Sequence, residues 1–133
     1  MNCAQIMLTV FCEDFGLDRK TALQIASGFG GGMARTGKTC GAVTGSYMVL
    51  GLARQITPDN PRASLETVYA QIREFNLRFK ELHGSLLCQK LLGTNLNTKK
   101  GLAEAREKSL FTTACPNFVG DAARILEELL NQK

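Results

Sequence analysis

Residues 40–55 read CGAVTGSYMVLGLARQ, and no other segment limits the fold of this chain as strongly. The spacing predicts a helix that starts near Thr39 or Cys40 and continues to about Gln55. Its apolar residues fall on nearly every side, so such a helix needs neighbours all round and belongs at the centre of a bundle. The run at residues 47–50 would suit a buried strand by composition. It lies inside an apolar stretch too long for one, however, and no partner strand is in sight.

Every other segment that can pack reads as helix too. Residues 2–15 place Cys3, Ile6, Met7, Val10 and Phe11 on one side at about 100° per residue, with Gly16 as the stop. A second helix follows Asp18 as N-cap, carries Ala22, Leu23, Ile25 and Ala26, and runs out at the glycines from Gly28. Beyond a linker with Pro58, Asn60 and Pro61 open a long helix that Gly84 ends after His83, with Leu65, Val68, Ile72, Phe75 and Phe79 on its buried face. Residues 85–92 form a short helix stopped by Gly93, and residues 99–108 a polar one. The last helix opens at Cys115-Pro116 and repeats Val119, Ala122, Ala123, Ile125, Leu126, Leu129 and Leu130. Strand alternation, internal repeats and low-complexity tracts are absent. With 133 residues, 44% of them hydrophobic, the chain suits one core without staples. The expected fold is all-α: a compact single-domain bundle over residues 1–133, with about five to seven helices around a buried central helix near residues 40–55.

Charge and segment lengths narrow the function classes. The net charge of +4 comes from scattered residues such as Arg35, Lys38, Arg54, Arg73, Arg78, Lys99 and Lys108. They form no stripe with interleaved aromatics, so nucleic-acid binding is not expected. No apolar run is long enough to span a membrane and no secretory leader pattern opens the chain, so a cytoplasmic protein without membrane insertion is expected.

Residues 28–45, GFGGGMARTGKTCGAVTG, support two incompatible readings. Residues 32–39 fit the phosphate-loop consensus, with Lys38 as its lysine. That motif must follow a buried strand, whereas here a helical segment precedes it, and no later strand ends in a magnesium-binding aspartate. Anion or nucleotide binding at this loop is therefore the third reading, with Arg35 and Lys38 near a helix N-terminus as its support.

The other reading concerns thiols. Cys3, Cys40, Cys88 and Cys115 each fall in or just before the first turn of a separate helix, where unpaired N–H groups and the helix dipole favour a thiolate. Brought together, the four could hold zinc or an iron–sulfur cluster, or two could cycle between dithiol and disulfide. Cys12 lies nine residues after Cys3, on the opposite side of the first helix, and reads as an incidental thiol. Against this stands the plain alternative of a helical structural or interaction protein whose cysteines are only packed and inert. Among other candidates, His83 suits a C-terminal cap better than a ligand, and Met33, Met48, Phe75 and Phe79 suit the core. Glu104, Glu107, Glu127 and Glu128 suit solvated faces.

Several residue groups in order carry a family resemblance: Asn2-Cys3-Ala4-Gln5, Gly16-Leu17-Asp18, ASGFGGGM at residues 26–33, Cys40-Gly41-Ala42-Val43-Thr44-Gly45 followed by YMVLGL, Cys88, and Cys115 ahead of DAARILEE. Together they resemble the redox-active family named for its C_GCAxxG_C_C motif, over nearly the whole chain. The resemblance implies that the family's cysteines fall on Cys3, Cys40, Cys88 and Cys115 and its glycine element on Gly41 and Gly45, and that Cys12 has no counterpart. It implies redox thiols; the redox partner is unidentified, and a homodimer and an iron–sulfur cluster, zinc or no cofactor are separately left open. Gly41 and Gly45, four apart on a helix, make a shallow strip that another helix can approach. Cys40 is expected to be the central thiol. Family members usually carry a helical stretch ahead of the Asn-Cys pair, so Cys3 is expected near a frayed end.

Overall fold

The computed structural model describes residues 1–132. Its helices are α1 (Cys3–Phe11), α2 (Arg19–Ala26), α3 (Gly41–Arg54), α4 (Pro61–His83), α5 (Cys88–Leu92), α6 (Lys99–Glu107) and α7 (Cys115–Leu130). Single helical turns occur at Gly30–Met33 and Leu110–Thr113, and 3-10 turns at Cys12–Phe15 and Ser27–Phe29. Among the described residues there is no β-strand, only one isolated antiparallel bridge between Thr39 and Leu87. The protein is all-α.

Short polar side chains set four of the helix starts. Asn2 and Gln5 form a reciprocal capping box on α1, each bond 2.9 Å. Asp18 accepts from the Thr21 N–H, Asn60 from that of Ala63 and Thr98 from that of Gly101. Gly84, at φ +80°, closes α4 with its N–H on the Lys80 carbonyl.

The expected central helix is α3. Gly41 to Ser46, Val49 and Leu50 are all buried, and α1, α4 and α7 pack around them. Ser46 and Thr44 spend their hydroxyls on the Ala42 and Gly41 carbonyls of their own helix. The most extensive contact is with α1, and two glycines make it possible. A Cβ on Gly41 would lie 2.8 Å from the Ala4 nitrogen, and one on Gly45 would lie 2.7 Å from the Met7 Cβ and 3.0 Å from the Ala4 oxygen. At the other end of α3, Arg54 donates to the Gln71 side chain and to the Leu129 and Gln132 carbonyls, tying α3, α4 and the end of α7 together.

Several expectations need correction. Helix α1 stops at Phe11, and its buried stripe is Ala4, Met7, Leu8 and Phe11, leaving Val10 62% exposed. That stripe has i, i+3, i+4, i+7 spacing and contains the small Ala4 that the glycine strip admits. Ile25 and Leu65 are also exposed. Helix α4 has 23 residues against 14 in α3, so it is about 13 Å longer. Met33 belongs to a loop at the surface, not to the core.

The glycine strip gives an opposing pair of outcomes for one chemical change. Gly45→Ala is expected to destabilise the protein by about 1–3 kcal/mol because the methyl has no room. Gly51→Ala, on the same helix with nothing within 4 Å of a new Cβ, is expected to stabilise it by up to about 1 kcal/mol. Urea denaturation of the two variants checks the signs.

Candidate functional site

The four cysteines singled out above all occupy helix starts. Cys3, Cys88 and Cys115 are the first residues of α1, α5 and α7, and Cys40 immediately precedes α3. Main-chain bonds clip two of these starts together. The Cys40 N–H donates to the Leu86 carbonyl at 2.8 Å, and the Cys88 N–H donates to the Lys38 carbonyl at 2.6 Å, on either side of the Thr39–Leu87 bridge. The glycine strip supplies the third: a Cβ on Gly41 would stand 3.2 Å from the Cys3 Cβ, so the bare backbone lets Cys3 come up beside Cys40. Cys3 is not frayed, because the capping box holds it and Asn2 also donates to the Ser27 carbonyl.

All four cysteines line one cavity of about 830 Å³ that opens to solvent. Cys12 does not line it. That thiol is fully buried in the core and donates to the Thr9 carbonyl at 3.6 Å. Cys40 and Cys88 lie deep, at 4% and 7% exposure, while Cys3 and Cys115 are half-buried.

Depth and mutual repulsion sort the thiols. Burial pushes the Cys40 thiol up to about 11, although the Ala42 and Val43 N–H groups partly offset it. Burial, with Cys40 and Cys115 nearby, pushes Cys88 up to about 12. Cys3 rises furthest, because its S–H is engaged by the Cys115 sulfur and it is buried. Cys115 alone moves down from the ordinary 9.0, since the Cys3 S–H hydrogen-bonds to its thiolate. A helix start therefore does not lower every thiol here: burial raises Cys40 and Cys88, and the Cys115 neighbour together with burial raises Cys3. The strongest mutual influence is between Cys3 and Cys115, whose acidities move in opposite directions.

A metal centre fits these residues poorly. Among the described residues, no group of three or more His, Cys, Asp or Glu side chains is gathered closely enough to hold a metal ion. The thiols share a cavity wall without converging on one point.

The glycine-rich loop forms the rim. Gly31, Gly32, Met33, Ala34 and Arg35 all have positive φ, a left-handed turn whose three non-glycine residues cost about 1–2 kcal/mol each. Several of its N–H groups are spent within the loop: those of Ala34 and Arg35 donate to the Gly30 carbonyl, and those of Gly37 and Lys38 to the carbonyls of Gly31 and Gly32. A phosphate cradle needs these donors free, so the consensus at residues 32–39 does not build one. Gly31 and Arg35 of the turn line the cavity, as do Arg106 and Phe118. No local signal marks Arg106 or Phe118; the packing of α6 and α7 brings them in. His83 also departs from expectation. Its Nε2 lies 2.9 Å from Asp121 Oδ2, and its ring is held between Phe79 and Phe118, away from the last carbonyls of α4.

Among the described residues no helix is long and apolar enough to cross a membrane. The sequence model of the family described as "Putative redox-active protein (C_GCAxxG_C_C)" matches residues 1–129, and the chain belongs to that family. No curated protein and no solved structure matches it.

The order of thiol acidity is directly measurable. In alkylation across a pH series, Cys115 is expected to react first, with its inflection below 9.0, while Cys40 and Cys88 stay unlabelled until far higher pH. Cys3→Ala removes the S–H that stabilises the thiolate, so the Cys115 inflection should move up.

Proposed function

We propose that this member of the family is a thiol–disulfide redox protein in which Cys115 is the attacking thiol and Cys3 the resolving one. The observation that carries this reading is that all four thiols line one cavity, where Cys3 and Cys115 are half-buried and Cys40 and Cys88 are buried. Thiolate fraction and access govern exchange, and Cys115 is favoured in both.

The reaction balances in two steps. The Cys115 thiolate attacks one sulfur of a substrate disulfide, forming a bond from Cys115 to that sulfur while the other half leaves as a thiolate and takes a proton from water. Cys115 then no longer carries charge, so the Cys3 proton loses the partner that held it. Cys3 gives this proton to water and attacks Cys115 Sγ, closing a Cys3–Cys115 disulfide and releasing the second half of the substrate. Two electrons have passed from the protein to the substrate, and a dithiol reductant restores the starting state. Gly41 supports this chemistry by keeping Cys3 close, and the capping box by fixing the start of α1.

Reduced protein treated with a small disulfide is expected to lose two thiols and to yield a Cys3–Cys115 linked peptide by mass spectrometry. Cys3→Ser should trap the mixed disulfide on Cys115, and Cys115→Ser should lower the exchange rate by a factor of about 100 or more. Unreactive thiols throughout would favour packed, inert cysteines. Iron or zinc near one equivalent in anaerobically purified protein, lost on changing any of the four cysteines, would replace the dithiol with a metal site.

A further inference from the structure

The charge of the cavity points to its substrate. Two ionisable side chains other than the thiols line it, Arg35 and Arg106, and no aspartate or glutamate does. Neither guanidinium enters an ion pair among the described residues, although the chain carries acidic residues nearby in sequence at Glu104 and Glu107. Arg35 is held where it is by the left-handed turn: a Cβ on Gly31 would stand 2.8 Å from the Arg35 Cγ, so the side chain lies back across bare glycine at the rim. Strain of this kind persists where the surrounding structure enforces it and commonly accompanies a site. Apolar side chains, among them Leu91, Phe111 and Val119, make up much of the rest of the wall.

Size and lining together select a small molecule. A volume of about 830 Å³ lies within the usual range for small-ligand pockets. Two cations at the rim favour carboxylate groups, and apolar walls favour a short aliphatic body between them. We infer that the cavity accepts a low-molecular-weight disulfide bearing carboxylates, which Arg35 and Arg106 hold so that its sulfurs meet Cys115. This rests on the dithiol reading above and adds to it the class of substrate. The arginines are positioning residues and take no part in the exchange itself.

Three disulfides of similar length separate the possibilities: dithiodipropionate with two carboxylates, cystamine with two ammonium groups, and neutral bis(2-hydroxyethyl) disulfide. The reduced protein is expected to react with dithiodipropionate at least about 10-fold faster than with cystamine, each rate taken relative to free cysteine under the same conditions. Arg35→Gln with Arg106→Gln should bring that ratio close to 1, whereas Arg35→Lys with Arg106→Lys should retain most of it. Suberate, with two methylenes in place of the sulfurs, supplies a readout independent of redox chemistry. It should raise the Tm of the Cys3→Ser/Cys115→Ser protein, and the glutamine substitutions should abolish the rise. Exchange with equal rates for the three disulfides would overturn the inference while leaving the dithiol reading intact. Suberate binding without any exchange would overturn the dithiol reading and leave an anion-binding cavity. Reaction with a protein disulfide but with none of the small ones would overturn the small-substrate assignment.

Discussion

The close approach of α1 to α3 is the contact on which the rest of the site depends. Gly41 and Gly45 remove side chains from one face of the most buried helix, and Ala4 and Met7 fill that face from α1. Two glycines within a helix cost about 1 kcal/mol each relative to alanine, so the segment bears a local penalty for a tertiary gain. The gain is positional. With the axes drawn together at that end, the first residue of α1 and the residue before α3 become neighbours, and both are cysteines. The Cys40 and Cys88 backbones are then joined by the bonds flanking the Thr39–Leu87 bridge, and Cys115 enters on α7, which packs against both α1 and α3.

Electrostatics limits what four neighbouring thiols can be at once. Cys115 raises the other three, Cys40 raises Cys3 and Cys88, and burial raises all four, so a charge on Cys115 suppresses ionisation of the rest. Cys115 alone moves down, with its Cys3 neighbour the largest cause, and Cys3 moves up chiefly because of Cys115. In the exchange proposed above, this coupling would set the order of steps, with Cys3 losing its proton after Cys115 has given up its charge to a covalent bond. Cys12 lies outside this system, buried against its own helix turn.

Much of the fold was legible because its boundaries are chemically explicit. Asn60-Pro61 and Gly84 bracket α4, Asp18 opens α2, and Pro116 stands in the first turn of α7; each acts through the backbone next to it. Faces were less legible than boundaries. Val10 and Leu65 obey helical spacing yet point to solvent, because which apolar stripe is covered depends on where the partner helix lies and how far it reaches. In the same way the helix starts identified four cysteines, but not which two would interact. Cys3 and Cys115 are far apart in sequence, and the packing of α7 against α1 brings both to one cavity. Nor does the sequence reveal Arg106, an ordinary charged residue on a polar helix until α6 is set beside the cavity.

The glycine-rich loop illustrates how a consensus can be met without its chemistry. A phosphate loop works because its N–H groups converge on an empty centre, whereas here the N–H groups of residues 34, 35, 37 and 38 close onto carbonyls of residues 30–32. Gly32 cannot be replaced without a Cβ 2.6 Å from the Lys38 nitrogen and 2.8 Å from the Cys88 Cβ, so the turn is packed directly against the segment that carries Cys40 and Cys88. The glycines therefore serve closeness between backbone segments of the loop, and the turn carries Arg35 to the cavity wall. A left-handed turn that includes Met33, Ala34 and Arg35 has no intrinsic stability in an L-polypeptide. Its persistence has to come from these contacts with α5 and Asn2, which couples the placement of a rim charge to the placement of the thiols beneath it.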